Sequence, residues 1–395
     1  MRTAHRDEPV YKVCLGCIKH PALERYVRKH GSRVSQCRFC GSRRQLAVNS
    51  TDSGIGLLFR ALVRFHYAEV EYNTHFGGDE VPTLLQRDNP LLHCPSPALV
   101  GDWEVAVMDM LESAYASYRK GISLYAGNYK GMRLALPSLV DGGAEKIGRW
   151  AKELQIRNAF DVEDKILTVL RKMRSPITAR VARGEVLFRA RIGFEVSGTP
   201  MVGGGLDPNS HYKPYEAAAL GAPPPPMSRP GRMNRDGFSF LYLASDKRTA
   251  VAEVRPHPGH FVSVGQFRVR NTLRIADFGQ ASIDGFCRND ESLDRFGLIC
   301  ALDQLFATPI LPEERTKYLL TQTLADVIRK IGYDGIRFTS SVGSGTNLTI
   351  FRAGACEYVK GSACVVRVKS LQYKCTTLRT MGNPNDYMLP PDYRV

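Results

Sequence analysis

The chain has 395 residues, 43% of them hydrophobic and 24% charged, with a formal net charge of +15. That length favours two or three domains over one, and that composition is of a globular protein with enough apolar residues for real cores. No stretch approaches the ~20 apolar residues of a membrane span, and the N-terminus MRTAHRDEPVYKV has no apolar signal-peptide core. From these observations the chain is expected to be cytoplasmic rather than membrane-spanning or secreted. Its ten cysteines are then thiols or metal ligands rather than disulfides.

Residues 1–50 hold eleven Lys/Arg against three Asp/Glu, a balance of +8 in the first eighth of the chain. Such a segment attracts nucleic acid or another acidic partner, or simply forms a solvated basic face. It also contains Cys14, Cys17, Cys37 and Cys40, two C-x2-C pairs separated by nineteen residues. Two thiolates three residues apart clasp one side of a tetrahedral Zn²⁺ and a second pair completes it. Four protein ligands leave no open position, so the expected role is structural, and in so short a segment the metal supplies folding energy. CLGC also resembles a thioredoxin-type pair, but the second CRFC and the missing βαβ context oppose that. Cys94, Cys287, Cys300, Cys356, Cys364 and Cys375 show no pairing and are expected to be plain buried thiols.

Residues 51–178 are predicted to form a small helical domain. Ile55, Leu58, Phe59, Leu62, Phe65 and Tyr72 lie on one helical stripe, and Trp103, Val107, Met110, Leu111, Ala114 and Tyr118 on another. A third helical segment spans 145–173, with Asp161 expected to cap its second half and Asp164 in the first turn. Arg60 and His66 have the spacing of the Arg-x4–6-His motif, which resembles that of HEPN-family ribonucleases. Here Ala61 follows the arginine, where that family usually has a polar residue.

From residue 185 the periodicity changes to strands. In EVLFRARI, Val186, Phe188, Ala190 and Ile192 are expected on one side and Arg189 and Arg191 on the other. FSFLYLA, FVSVGQFRV, TLRIADF, DGIRF, NLTIF and CVVRVKSLQY are further short strands. Helices are predicted at 246–254, 291–307 and 313–331. Between Ile192 and Gly231 runs a Gly- and Pro-rich stretch too long for an ordinary connection, expected to form a semi-rigid flap. The fold class is therefore α+β, a mixed α/β C-terminal domain preceded by a small four-cysteine zinc ribbon and an α-helical bundle. The expected partition is 1–50, 51–178, 180–378 and a C-terminal tail, 379–395.

Three segments of the C-terminal half read as parts of one nucleotide-handling site: FRARIG (188–193), GRMNRDGFSFLYLASDKRTAVAEVRPHPG (231–259) and GYDGIRFTSSVGSGTNLTIF (332–351). Together they resemble the RES domain family, named for its Arg, Glu and Ser and typified by bacterial toxins that consume NAD. The resemblance covers about 180–376. The family pattern is close to G-R-W-N-x-x-G, then a Tyr, then Ala and Glu eleven residues after it. Arg232, Asn234, Gly237, Tyr242 and Glu253 match, and Met233 replaces the Trp. Arg189 is matched to the family's first arginine, with Arg191 a rival, and Ser340 to its serine, with Ser341 adjacent. The zinc segment and bundle also resemble the N-terminal extension of some longer RES proteins.

The resemblance implies cleavage of the nicotinamide–ribose bond of NAD by water or phosphate, or transfer of ADP-ribose to a macromolecule. The implied catalytic residues are Arg189, Tyr242, Glu253 and Ser340. Arg191, Arg232, Asn234, Ser341 and Asn347 are the expected cofactor-binding residues. Glu253 would stabilise an oxocarbenium-like centre, the arginines would hold phosphates, and the SSVGSGTN loop would bring hydroxyls and N–H groups to them. Glu253 could instead pair with Arg248 or Arg255 as an ordinary surface ion pair. The resemblance further implies an antitoxin or activating partner, and oligomerisation is open. Readings from other classes are a zinc-ribbon nucleic-acid-binding protein and a HEPN-type ribonuclease using Arg60 and His66.

Overall fold

The computed structural model describes residues 11–88, 90–93, 95–112, 122–125, 128–129, 132–197, 211–308 and 318–372. Cys94, Cys375, Ala114, Tyr118, residues 201–210 of the Gly-rich stretch and the tail at 379–395 lie outside them.

The N-terminal segment is a three-stranded sheet and a helix. Strands β1 (Lys12–Cys14), β2 (Ser32–Arg33) and β3 (Leu46–Asn49) pair in the order β1-β3-β2, all antiparallel, with α1 (Pro21–His30) between β1 and β2 in sequence. α1 starts with Pro21 at N1, preceded by His20, whose Nδ1 accepts from the Ala22 N–H at 3.2 Å. The helices that follow are α2 (Ser53–His66), α3 (Glu69–Tyr72), α4 (Val81–Asp88), α5 (Val100–Glu112), α6 (Leu139–Ile156) and α7 (Ala159–Lys172).

Two of the expected long helices are broken. The stripe from Ile55 to Tyr72 ends at Tyr67, which is extended, and Tyr72 is buried from the separate short helix α3. The segment at 145–173 divides at Arg157 and Asn158, and Asn158 rather than Asp161 caps its second half, accepting from the Phe160 N–H at 3.0 Å. Asp161 occupies the first turn, where its charge meets the positive helix end.

Among the described residues of the C-terminal half, nine strands form one sheet. They are β4 (Thr178–Val181), β5 (Val186–Ile192), β6 (Leu241–Ala244), β7 (Phe261–Val269), β8 (Leu273–Asp277), β9 (Gly335–Thr339), β10 (Thr346–Ile350), β11 (Cys356–Tyr358) and β12 (Cys364–Arg367). The order is β11-β7-β5-β6-β10-β9-β8-β4, with β12 also on β7. Every pairing is antiparallel except β8 with β9, which are joined through α9 (Asp290–Ala307) and α10 (Tyr318–Lys330). A parallel neighbour needs such a crossover. α8 (Lys247–Glu253) links β6 to β7. β5 departs from its expected facing: Leu187 is buried and Ile192 is exposed. The last strand stops at Arg367 instead of running on to Tyr373.

Period-2 alternation gives the sheet two apolar faces. Leu241, Leu243, Leu273, Ile275, Leu348 and Ile350 belong to a core on one face. Ala276, Ile336 and Phe338 belong to the other, which continues without a break through α9 and α10 into the N-terminal helices and Cys14, Cys17 and Cys37. α9 is the joint. Its buried residues include Leu293, Leu298, Ile299, Leu302 and Phe306, as expected for a helix covered on more than one side. A Cβ at Gly297 would lie 2.1 Å from the Leu139 carbonyl oxygen, and one at Gly143 would lie 2.5 Å from that of Gly297. The α6–α9 crossing is thus backbone against backbone, which only glycine permits.

Candidate active site

One row across four strands starts the site. Register places Phe188 beside Ala244, Ala244 beside Asn347, and Asn347 beside Phe338. All four line a cavity of about 430 Å³ on the sheet face beneath α8 and the start of α10, a volume usual for small-molecule sites. Arg189, Arg232, Tyr242, Glu253, Arg255 and Tyr318 supply its polar groups.

Glu253 is the last residue of α8. Its Oε1 accepts from the Ser340 hydroxyl at 2.6 Å and from the Asn347 amide at 2.7 Å. No hydrogen bond engages Oε2 among the described residues, and neither Arg248 nor Arg255 forms an ion pair with this carboxylate there. The Ser340 Oγ is itself fixed, accepting from the N–H groups of Val342 (3.3 Å) and Gly343 (3.0 Å). Ser340 therefore touches the cavity through Glu253, whereas Ser341 is exposed.

The SSVGSGTN loop is pinned to the start of α8. Asp246 caps that helix, accepting from the Thr249 N–H at 2.8 Å. Gly345 N–H donates to Thr249 Oγ1 at 3.0 Å, and Thr346 N–H to Ser245 Oγ at 2.9 Å. A Cβ at Gly345 would stand 2.1 Å from Asp246 Oδ2. Of the loop's N–H groups, expected on a phosphate, those of Gly345 and Thr346 hold the start of the helix that carries Glu253, and those of Val342 and Gly343 fix Ser340.

On the opposite side, β5 and β6 pair only at Phe188 and Ala244, and the Arg189 guanidinium donates to the Tyr242 carbonyl at 2.9 Å. Burial depresses its pKa to about 10, leaving it a cation at neutral pH. Arg191 instead donates to the Ala219 carbonyl at 2.5 Å and lies over the Tyr215 ring, outside the cavity lining. The Tyr242 hydroxyl donates to Asn234 Oδ1 at 2.7 Å and accepts from the Met233 N–H at 3.3 Å. Burial pushes this phenol up to about 12, so it stays protonated across the physiological range.

Asn234 serves its own loop. Its Nδ2 donates to the carbonyls of Arg229 (3.0 Å) and Phe238 (2.9 Å), and it does not line the cavity. Met233 is buried in the core. Gln322 of α10 clasps the loop, donating to the carbonyls of Gly231 (2.8 Å) and Asn234 (3.0 Å). Arg232 is thereby held in the cavity wall, donating to the Phe306 carbonyl at 2.5 Å. Its pKa is lowered, mainly by burial, and partly restored by Glu253. The chemistry-bearing residues thus gather a half-buried carboxylate and two half-buried guanidinium groups. Tyr318 escaped the sequence reading, and Arg255 entered it only as a possible surface partner of Glu253, not as a cavity residue. Arg255 sits two residues past the matched Glu in an ordinary-looking EVRPHPG, and Tyr318 carries no motif.

The thiols form a second centre. The Sγ separations are 3.9 Å for Cys14–Cys17, 3.4 Å for Cys14–Cys40 and 3.6 Å for Cys17–Cys37, and all four atoms lie within 4.8 Å of one another. A tetrahedral zinc–thiolate site, with Zn–S near 2.3 Å, has S–S edges of about 3.8 Å. The donor set can hold a metal ion. Hydrogen bonds from Cys14 and Cys17 hold the Cys37 thiol far below its ordinary range, while Cys17 is pushed up, first by its bond with Cys14. Metal binding to such a set displaces the thiol protons. Of the other cysteines, Cys356 is buried and Cys287, Cys300 and Cys364 are half-buried.

Arg60 and His66 do not converge. Six residues along a helix turn the chain about 240°. Arg60 is buried in the helical core, while His66 packs against His20 at 5.6 Å between ring centroids.

Residues 206–368 match the RES domain family model, and the chain carries a RES domain over that stretch. Arg232, Tyr242, Glu253 and Ser340 fall inside the match, and Arg189 precedes it on a strand of the same sheet. The crystal structure of the M. tuberculosis MbcT-MbcA toxin-antitoxin complex is similar at 11% identity and a TM-score of 0.27, over 52% of this chain and 92% of that chain. At that score the likeness bears no further weight. A search of curated proteins finds no match. Among the described residues no helix is long and apolar enough to cross a membrane.

Proposed function

We propose that the cavity binds NAD and that the protein cleaves its nicotinamide–ribose bond, as a growth-arrest toxin or defence effector. The observation that carries this reading is Glu253, whose Oε1 is fixed by Ser340 and Asn347 in a cavity that also holds the Arg189 and Arg232 guanidinium groups. The RES match, which spans Arg232, Glu253, Ser340 and Asn347, supports it. In this reading the C1′–N bond breaks, its electron pair leaves with neutral nicotinamide, and the ribose gains oxocarbenium character. Glu253 Oε2 stabilises that charge, and its fixed orientation avoids reorganisation as the charge develops. The arginines neutralise phosphate charge. Tyr242, protonated and held by Asn234, shapes the wall without moving a proton. Ser340 acts as the positioning group for Glu253.

Three acceptors are compatible with one donor site: water, inorganic phosphate or a macromolecular side chain. Mass spectrometry after incubation with NAD, with and without phosphate, separates them. Free nicotinamide with ADP-ribose indicates hydrolysis, and phosphorylated ADP-ribose indicates phosphorolysis. Intact NAD under both conditions, in protein that binds no NAD, contradicts the proposal. The four-cysteine centre is proposed to hold structural Zn²⁺. The proposed organisation is a zinc segment at 1–50, a helical region at 51–178 and the NAD-binding region at 180–378. A nucleic-acid contact for the first segment is favoured by Arg33, Arg43 and Arg44, exposed and without an acidic partner among the described residues.

A further inference from the structure

Arg255 differs from everything else around the cavity. It is the exposed member of the lining, every other lining residue being buried or half-buried, so it stands at the rim. It forms no hydrogen bond or ion pair through its side chain among the described residues. By contrast, Arg189 and Arg232 each donate to a main-chain carbonyl. The charge of Arg255 is nevertheless felt at Arg232, whose pKa it helps to lower. Both cations line the same cavity, together with the Glu253 carboxylate.

The backbone at Arg255 is also unusual. It follows Val254, which closes α8, and it has φ +48°, in the left-handed region. That position after a helix is usually glycine, because a Cβ there is strained. The next residue is Pro256, buried, which further restricts the preceding conformation. Strain of this kind is found where a side chain is held in place for a purpose. An unpaired guanidinium fork at the mouth of a cavity, beside a second cation, is matched chemically by an oxyanion with several acceptor oxygens.

Resting on the NAD reading of this cavity, we propose that Arg255 is a phosphate-binding residue at its mouth. The anion it takes is a phosphoryl group, either the diphosphate of the dinucleotide or free inorganic phosphate entering as acceptor.

Binding decides this without turnover. Calorimetric titrations of the full-length protein with ADP, adenosine and inorganic phosphate are compared for wild type, Arg255→Gln and Arg255→Gly. The glycine variant removes the side chain while relieving the backbone, so it keeps the test open if the glutamine variant fails to fold. We expect a tenfold or greater loss of affinity for a phosphoryl ligand, with adenosine affinity changed less than twofold. A loss for ADP identifies the dinucleotide's diphosphate as the source. A loss confined to inorganic phosphate identifies the acceptor. Unchanged affinity for both ligands in a folded variant overturns the proposal, as does wild-type protein that binds ADP no better than adenosine and does not bind phosphate. Nicotinamide release, measured separately on wild type and Glu253→Ala, reports the NAD reading itself. Its absence alongside Arg255-dependent phosphoryl binding would sink the reaction and leave the anion site standing.

Discussion

Glu253 is held by two donors on a single oxygen, and the donors come from two elements, the loop after β9 and strand β10. Removing one of them loosens the carboxylate without removing it. A hydrogen bond to a charged group is worth about 1.5–3 kcal/mol, so Ser340→Ala is expected to lower kcat/KM for NAD roughly 10- to 100-fold. Glu253→Gln should lower it further. Steady-state kinetics on folded variants checks this, and a Ser340→Ala enzyme as impaired as Glu253→Gln would give the serine a larger part than positioning. The residues matched to the family motif were legible in the sequence, because the motif spacing records where each strand and helix begins. Their division of labour was not. Asn234 and Ser340 belong to the motif, but one closes its own loop and the other orients a neighbour. Such roles depend on which acceptor a side chain reaches, and spacing does not encode that. Arg255 was illegible for the converse reason: its signal is a backbone angle and a missing partner.

At the level of elements, the four-cysteine segment and its α1 depend on the thiol cluster and on one cap. Cys14 closes β1 and Cys17 lies in the turn after it, and both are fully buried in the common core. A metal ion held by these four thiols would supply folding energy to so short a segment, so chelation is expected to melt residues 11–50 before the sheet. Loss of protection in this segment by hydrogen exchange, with β6 and β10 still protected, is the predicted pattern, and uniform protection with and without chelator would contradict it. The cap at His20 adds a pH dependence. Burial, and then the neighbouring His66, lower the His20 pKa to about 4. The unfolded residue titrates near 6.5, so the folded state binds the proton more weakly. Stability is intact above that value and falls as pH drops from 6.5 towards 4. Protonating Nδ1 also removes the acceptor of the Ala22 N–H. His20→Asn keeps a capping acceptor that does not titrate. Its melting temperature is expected to fall less than that of wild type between pH 7 and 4.5, and parallel curves would contradict the assignment. The C-x2-C pairs predicted this centre because metal geometry constrains spacing directly. The helix breaks at Tyr67 and Asn158 were missed because apolar periodicity runs across both, and a local cap settled the second.

For the whole molecule, the decisive feature is that one core runs from the four-cysteine segment through the helices to one face of the sheet. α9 lies within the RES match yet meets α6 backbone to backbone at Gly297 and Gly143. A second link between the halves is made by Glu163 of α7, which pairs with Arg235 at 3.1 Å and with Lys330 of α10. Residues 180–378 produced alone would expose the α6-facing side of α9, so they are expected to aggregate or to melt well below the full chain. A soluble, cooperatively melting fragment would show that the joint is dispensable. Sequence patterning distinguished helical from strand periodicity, but gave no sign that the two regions share a core, since each periodicity reports only its own element's buried face.

The central claim is that this cavity cleaves NAD through Glu253. The most direct measurement is nicotinamide release from NAD by wild type and Glu253→Gln at equal concentration, with matched melting curves. Release by wild type that falls at least a hundredfold in the variant is the predicted result. Equal release from both proteins would contradict the account.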